Sequence, residues 1–176
     1  MVQSDALNDD EAHLAIMAWG GQRRDHGRVV WGSINLLRPV LSGLRAGHLD
    51  SRAGYEALFT LTTRTEGRVR WLGPAYYTKL LFFLPPRSAG QIMDQWTAKS
   101  MQLLADRGDQ PPTIKLSHAG YVSRDNDAQV YSRFCKFIAQ LAARYEISEG
   151  NAEELIFSGS GQPWRNHVRT HWVHNA

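Results

Sequence analysis

The chain is 176 residues long, 43 % hydrophobic, and carries a net charge of +3. That length favours one domain with a proper core over two, and the apolar share excludes a disordered chain. Its single cysteine, Cys135, excludes an intrachain disulfide and a cysteine-held iron–sulfur cluster, and within Val130–Ile138 it reads as a buried structural thiol.

The first predicted helix covers Asn8 to Trp19, with Asp9, Asp10 and Glu11 at its positive N-terminal end and Gly20-Gly21 as its stop. The residues before it are acidic and lack the basic-then-apolar layout of a signal peptide, so a cytoplasmic location is expected. Gln22 to Val29 reads as polar and turn-like. Ser33 is placed to cap a helix through Leu36, Leu37, Val40, Leu41 and Leu44, which Pro39 must start late or kink. Ser51 caps the next helix, Arg52 to Thr62, with Tyr55, Leu58, Phe59 and Leu61 as its apolar stripe. Arg64 to Leu72 is basic and non-periodic. Gly73-Pro74 then opens a helix through Leu84, which Pro85-Pro86 ends. The apolar run Leu80 to Leu84 is far too short to cross a bilayer, and no membrane partner is expected.

Asp94 caps a further helix through Thr97, Met101 and Leu104, closing at Gly108. Gly108 to Arg124, punctuated by Pro111-Pro112 and Gly120, reads as a long loop of the functional or mobile kind. Asp125-Asn126-Asp127 begins the longest helix, whose face carries Val130, Phe134, Phe137, Ile138, Leu141 and Tyr145. Ser148 starts a short last helix through Phe157, and residues 159–176 form a polar tail with aromatics. No repeat and no β-hairpin is evident. The expected fold is all-α: one compact, monomeric multi-helix domain over residues 1–176, with six to eight helices.

Charge is unevenly spread. From Gln22 to Arg87 there are eleven Lys/Arg and four Asp/Glu, a balance of +7, whereas the remainder sums to −4. A basic concentration of this kind suits a polyanion such as nucleic acid, with a solvated basic face as the bland alternative. Within it, residues 52–84 read as a helical hairpin. The exposed amides at the start of its second helix, around Gly73 and Ala75, suit a backbone phosphate, and Arg64, Arg68 and Arg70 surround them in sequence.

One turn into that helix stands Lys79, and Asp94 follows fifteen positions later. An amine and a carboxylate sharing a cleft can break a glycosidic bond: the amine attacks the sugar carbon and the carboxylate steadies the positive charge. A lysine that merely snorkels to solvent, and an aspartate that merely caps a helix, are the structural alternatives. Trp19, Trp31, Trp96 and Trp164 are candidates to stack on an extruded base, or are core residues; Phe157 is a second pocket wall. His167, His171 and His174 lack acidic or thiol partners nearby, so no metal and no cofactor is expected.

The stretch Gly73-Pro-Ala-Tyr-Tyr-Thr-Lys-Leu-Leu-Phe-Phe83, followed by Ile92-Met-Asp-Gln-Trp-Thr-Ala-Lys-Ser100, resembles bacterial proteins with an 8-oxoguanine DNA glycosylase fold. These are compact relatives of the helix-hairpin-helix base-excision glycosylases. Looser likeness extends over Trp31 to Phe157, through Trp31-Gly32-Ser33, Tyr131 to Cys135 and Glu153 to Phe157. The resemblance implies that Lys79 is the nucleophile and Asp94 the essential carboxylate. It implies excision of a damaged purine from lesion-bearing double-stranded DNA, with β-elimination able to follow. An exposed lysine titrates near about 10.4, so such a site must lower its pKa by desolvation or nearby positive charge. Relatives of this fold also sit among bacterial anti-phage genes. Another modified purine, an RNA or a nucleotide is therefore an alternative substrate, and a catalytically silent binding module is a third reading.

Overall fold

The computed structural model describes residues 7–86, 90–105, 114–157 and 163–172. The expected signals at Gly108, Pro111-Pro112, Gly159 to Gly161 and His174 lie outside them. The described residues form nine α-helices and no strand beyond one isolated bridge, Leu116 with Val122, so the fold is all-helical as expected. Nine exceeds the expected six to eight because two polar segments fold as helices. The chain divides into two compact units, Met1–Ile92 and Met93–Ala176.

The first unit holds five helices: α1 (Asp9–Trp19), α2 (Arg24–Trp31), α3 (Ile34–Arg45), α4 (Ser51–Thr63) and α5 (Pro74–Phe83). Helix α1 starts with a capping box, in which Asn8 accepts from the Glu11 amide and Glu11 accepts from the Asn8 amide. Helix α2 corrects the turn-like reading of Gln22 to Val29. Its only buried residue is Val30, so it offers almost no periodic apolar signal. Ser33 makes no side-chain cap, and α3 neither starts late nor ends at Pro39. Pro39 is exposed, where water can satisfy the carbonyl its ring leaves unbonded. Asp50, one residue before Ser51, caps α4 by accepting from the Ala53 amide at 2.7 Å.

Helix α1 packs on α3 and α5, and α3 and α5 each pack on α4. Two ion pairs tie α1 to α3, Arg38 with Asp10 at 2.6 Å and Arg45 with Asp9 at 3.0 Å. At Gly54, on α4, an added Cβ would fall 2.8 Å from Cδ2 of both Leu44 and Leu81. Only glycine lets α3 and α5 close on α4 at this point. Tyr55 and Tyr77 meet edge to face with centroids 5.0 Å apart, both fully buried.

The second unit holds α6 (Gln95–Ala105), α7 (Ala128–Tyr145), α8 (Glu149–Phe157) and α9 (Pro163–His171). Helix α9 occupies Pro163–His171 within the segment expected to be a tail. Val168 is its one buried residue, so its sequence reads as polar. Helix α8 packs on α6, α7 and α9, and α6 packs on α9. Asp127 caps α7 through the Gln129 and Val130 amides. Asn126 braces residues 115–126 just before it. Fully buried Asn126 accepts from the Lys115 amide at 2.8 Å and donates to the Lys115 and Ser123 carbonyls. Cys135 is half-buried, not buried as expected.

Candidate active site

Lys79 belongs to the first unit and Asp94 to the second. Each stands at the centre of a distinct arrangement.

Pro74 occupies the first turn of α5, where its missing N–H is not needed. Leu80 and Leu81 turn inward and are fully buried. Lys79 beside them is only 9 % exposed, so its stem is packed rather than trailing in solvent. Its Nζ donates to the Ala75 carbonyl at 2.7 Å and lies 5.3 Å from the Tyr76 ring centroid. Gly20, at the end of α1, covers the stem: a Cβ there would sit 2.8 Å from Lys79 Cδ. Trp19, 65 % exposed, meets Phe83 edge to face at 4.8 Å.

The turn that leads into α5 is held from both sides. Val69 and Leu72 are fully buried, and the Val69 amide donates to the Leu61 carbonyl at 2.9 Å. The Tyr76 and Tyr77 amides both turn back to the Gly73 carbonyl, and Pro74 has no N–H. The Gly73 and Ala75 amides flank Pro74 at the start of α5. The space beside Gly73 is open, with nothing within 4 Å of a built Cβ. Arg68 and Arg70 are exposed, while Arg64 is half-buried and donates twice to the Gly67 carbonyl, bracing the loop. Trp31 is exposed at the end of α2. Trp71 adopts φ 65, the left-handed region, which costs a bulky residue about 1–2 kcal/mol.

In the second unit Asp94 caps α6. Its Oδ1 accepts from the Trp96 amide at 2.7 Å and the Thr97 amide at 3.1 Å, and Thr97 Oγ1 accepts from the Asp94 amide at 3.0 Å. Trp96 and Phe157 are brought together through a residue the sequence reading did not consider. The Arg165 guanidinium lies 3.8 Å from the Trp96 ring centroid and 5.0 Å from that of Phe157. Lys99 Nζ lies 5.1 Å from the Trp96 centroid and 4.4 Å from that of Trp172. Burial lowers the pKa of Lys99, the Asp94 charge opposes that effect, and Arg165 adds to the lowering. Arg165 is likewise lowered by burial, with Asp94 again opposing. The carboxylate thus sits in the field of two cations.

Lys99 was within reach of the sequence, since it follows Trp96 by three positions on one helix face. Arg165 and Trp172 carry no local signal that points to Trp96. Trp164 is a structural lock, its Nε1 donating to Ser100 Oγ at 2.9 Å. The His167 and His171 rings lie tilted against each other with centroids 4.2 Å apart, and the described residues contain no group of three or more metal-ligating side chains. An apolar hollow of about 250 Å³ between α7 and α8 has no charged lining residue, so it offers no acid–base chemistry. None of the described helices is long and apolar enough to cross a membrane.

Comparison with known families gives one match. Residues 3–157 fit the family described as "Putative 8-oxoguanine DNA glycosylase OGG-like protein". No curated protein and no solved structure matches the chain. The match spans most of the sequence and takes in both Lys79 and Asp94, so the chain belongs to the 8-oxoguanine DNA glycosylase OGG-like family.

Proposed function

We propose that this chain excises 8-oxoguanine, or a closely related oxidised purine, from duplex DNA, with Lys79 as nucleophile and Asp94 as the charge-stabilising carboxylate. The observation that carries the reading is a largely buried lysine, its stem packed under Gly20, within a family of glycosylases. Extruding the nucleotide from the stack costs a few kcal/mol, which contacts to phosphate and base must offset. Arg68 and Arg70, with the amides of Gly73 and Ala75, are the backbone-binding set; Arg64 shapes the loop that presents them. Trp31, Trp96 and Phe157 are the stacking candidates.

The neutral Lys79 amine attacks the sugar C1′ as the bond from C1′ to the base breaks. The bond's electron pair leaves with the base, which takes a proton. Ionised Asp94 stabilises the oxocarbenium-like charge between these events. The attached nitrogen then gives up a proton to O4′ as the C1′–O4′ bond breaks and the sugar ring opens, and its lone pair forms a protonated imine with C1′. Loss of a C2′ proton from that imine expels the 3′ phosphate by β-elimination.

Borohydride reduction of the imine tests the reading. A covalent adduct with an 8-oxoguanine duplex, absent in Lys79→Gln, is expected. No base release and no adduct across a panel of oxidised-purine duplexes would refute it.

A second amine warrants its own arm of that experiment. Lys99 lies in the same unit as Asp94, responds to its charge, and has a pKa lowered by burial. An adduct that survives Lys79→Gln and vanishes in Lys99→Gln assigns the attack to Lys99.

A further inference from the structure

We propose that Trp71 and His26 form a stacking platform for an unpaired nucleobase of bound DNA, a site separate from the chemistry of Lys79. The inference rests on the proposed action on DNA and names a further contact that such action would use.

Trp71 is unusual in three respects at once. Its backbone is left-handed, at φ 65, where glycine or asparagine would sit without penalty. The residue is 43 % exposed although its neighbours Val69 and Leu72 are fully buried. The ring also lies flat on His26, with centroids 4.2 Å apart and an interplanar angle of 8°. Gln22 Nε2 reaches the Trp71 carbonyl at 3.4 Å, holding the residue from the α2 side. A tryptophan that served only the core would turn inward with its neighbours. Here the buried residues on either side fix the backbone so that the ring is held out, already stacked on one side.

The surroundings select the occupant. Arg68 and Arg70 precede the ring, Arg24 and Arg28 stand one turn apart on α2, and all four are exposed. The segment from Gln22 to Arg87 carries a balance of +7. A flat aromatic face within a basic field fits a base attached to a phosphate backbone, since every base offers a π-face and stacking tolerates any sequence.

The test uses the full chain and two duplexes that differ at one position. In one, a 2-aminopurine lies opposite a tetrahydrofuran abasic site; in the other it is paired with thymine. Affinity is read by anisotropy at two salt concentrations, and stacking by 2-aminopurine fluorescence. The wild-type chain should prefer the abasic duplex. Trp71→Gly, which suits the left-handed backbone and so keeps the fold, should weaken that complex about five- to a hundred-fold and erase the preference. Trp71→Phe should retain most of it. The salt slope should not change in either variant, whereas Arg70→Ala should weaken both duplexes alike and reduce the slope by about 1.

Unchanged binding of the abasic duplex by Trp71→Gly, or equal loss on both duplexes, overturns the platform. The two proposals separate cleanly, because the abasic duplex holds no base to excise. Failure of borohydride trapping alongside a Trp71-dependent preference sinks the glycosylase chemistry alone. Successful trapping with no such preference sinks the platform alone. No binding of either duplex by the wild-type chain removes both.

Discussion

The Arg165 guanidinium spans two residues from different helices, lying 3.8 Å from the Trp96 ring centroid while its Nη2 donates to the Phe157 carbonyl at 2.6 Å. One side chain on α9 therefore joins α6 and the end of α8. Arg165→Ala removes a cation–π contact of about 1 kcal/mol and a charge-assisted hydrogen bond of about 1.5 kcal/mol. Urea denaturation should show a loss of about 2 kcal/mol. Arg165→Lys keeps the charge but not the planar fork, and should recover less than half of that loss. Full recovery by lysine would show that charge alone matters at this position.

Asp94 has a structural duty as well as its proposed chemical one, and two substitutions separate them. Asparagine caps a helix as well as aspartate does. Asp94→Asn should stay within about 0.5 kcal/mol of wild-type stability. Its base release should fall by about two orders of magnitude, as expected for lost charge stabilisation in the transition state. Asp94→Ala should lose the same activity and about 1 kcal/mol of stability besides. Base release at wild-type rate in Asp94→Asn would reduce the residue to a cap.

Gly20→Ala probes the lysine without touching it. Its backbone, at φ −72, accepts alanine. The new Cβ would meet Lys79 Cδ at 2.8 Å and Cε at 3.1 Å, so the stem must move. A flexible stem yields cheaply, and thermal stability should change by less than about 1 kcal/mol. Displacing the amine by even 1 Å should slow single-turnover trapping about ten- to a hundred-fold. A trapping rate equal to wild type would mean that the position of Lys79 is not critical.

Acid should weaken the first unit through His13. This residue is 2 % exposed, and burial lowers its pKa from 6.5 to about 4 against the opposing charge of Asp10. Between those values the unfolded chain holds the extra proton, so stability rises with pH across the window. The contribution is fully present above 6.5 and is lost as pH falls through about 4. It amounts to at most about 3 kcal/mol. His13→Leu should flatten this slope. Because Nδ1 of His13 is buried with no hydrogen-bond partner among the described residues, the change should cost little at pH 7. An unaltered acid limb in His13→Leu would assign the pH dependence elsewhere.

Much of the helical frame was legible because its signals are local. Asp9 to Trp19, the Pro74 start and the Asp127 cap are each written in adjacent residues. Helices α2 and α9 were missed for one shared reason. Each buries a single residue, Val30 or Val168, so neither shows an apolar period. The site divides in the same way. Lys79 and Asp94 stand out through sequence resemblance, and Lys99 follows from helix spacing. Arg165 and Trp172 reach Trp96 and Lys99 only after the chain has folded back, across separations that no local pattern encodes. Trp71 was hidden by its conformation, since nothing in the run Arg70-Trp71-Leu72 announces a positive φ.

The bare backbone at Gly54 has a practical bearing on anyone altering this protein. Leu81 sits two positions beyond Lys79 and presses toward α4 where a single methyl group would already collide. Enlarging residue 54 would therefore push on the rod that bears Lys79, from twenty-five positions upstream in the chain. Loss of the proposed catalysis in such a variant would register as a slipped axle, not as a missing reagent. A screen that scores only turnover would misassign Gly54 to the chemistry.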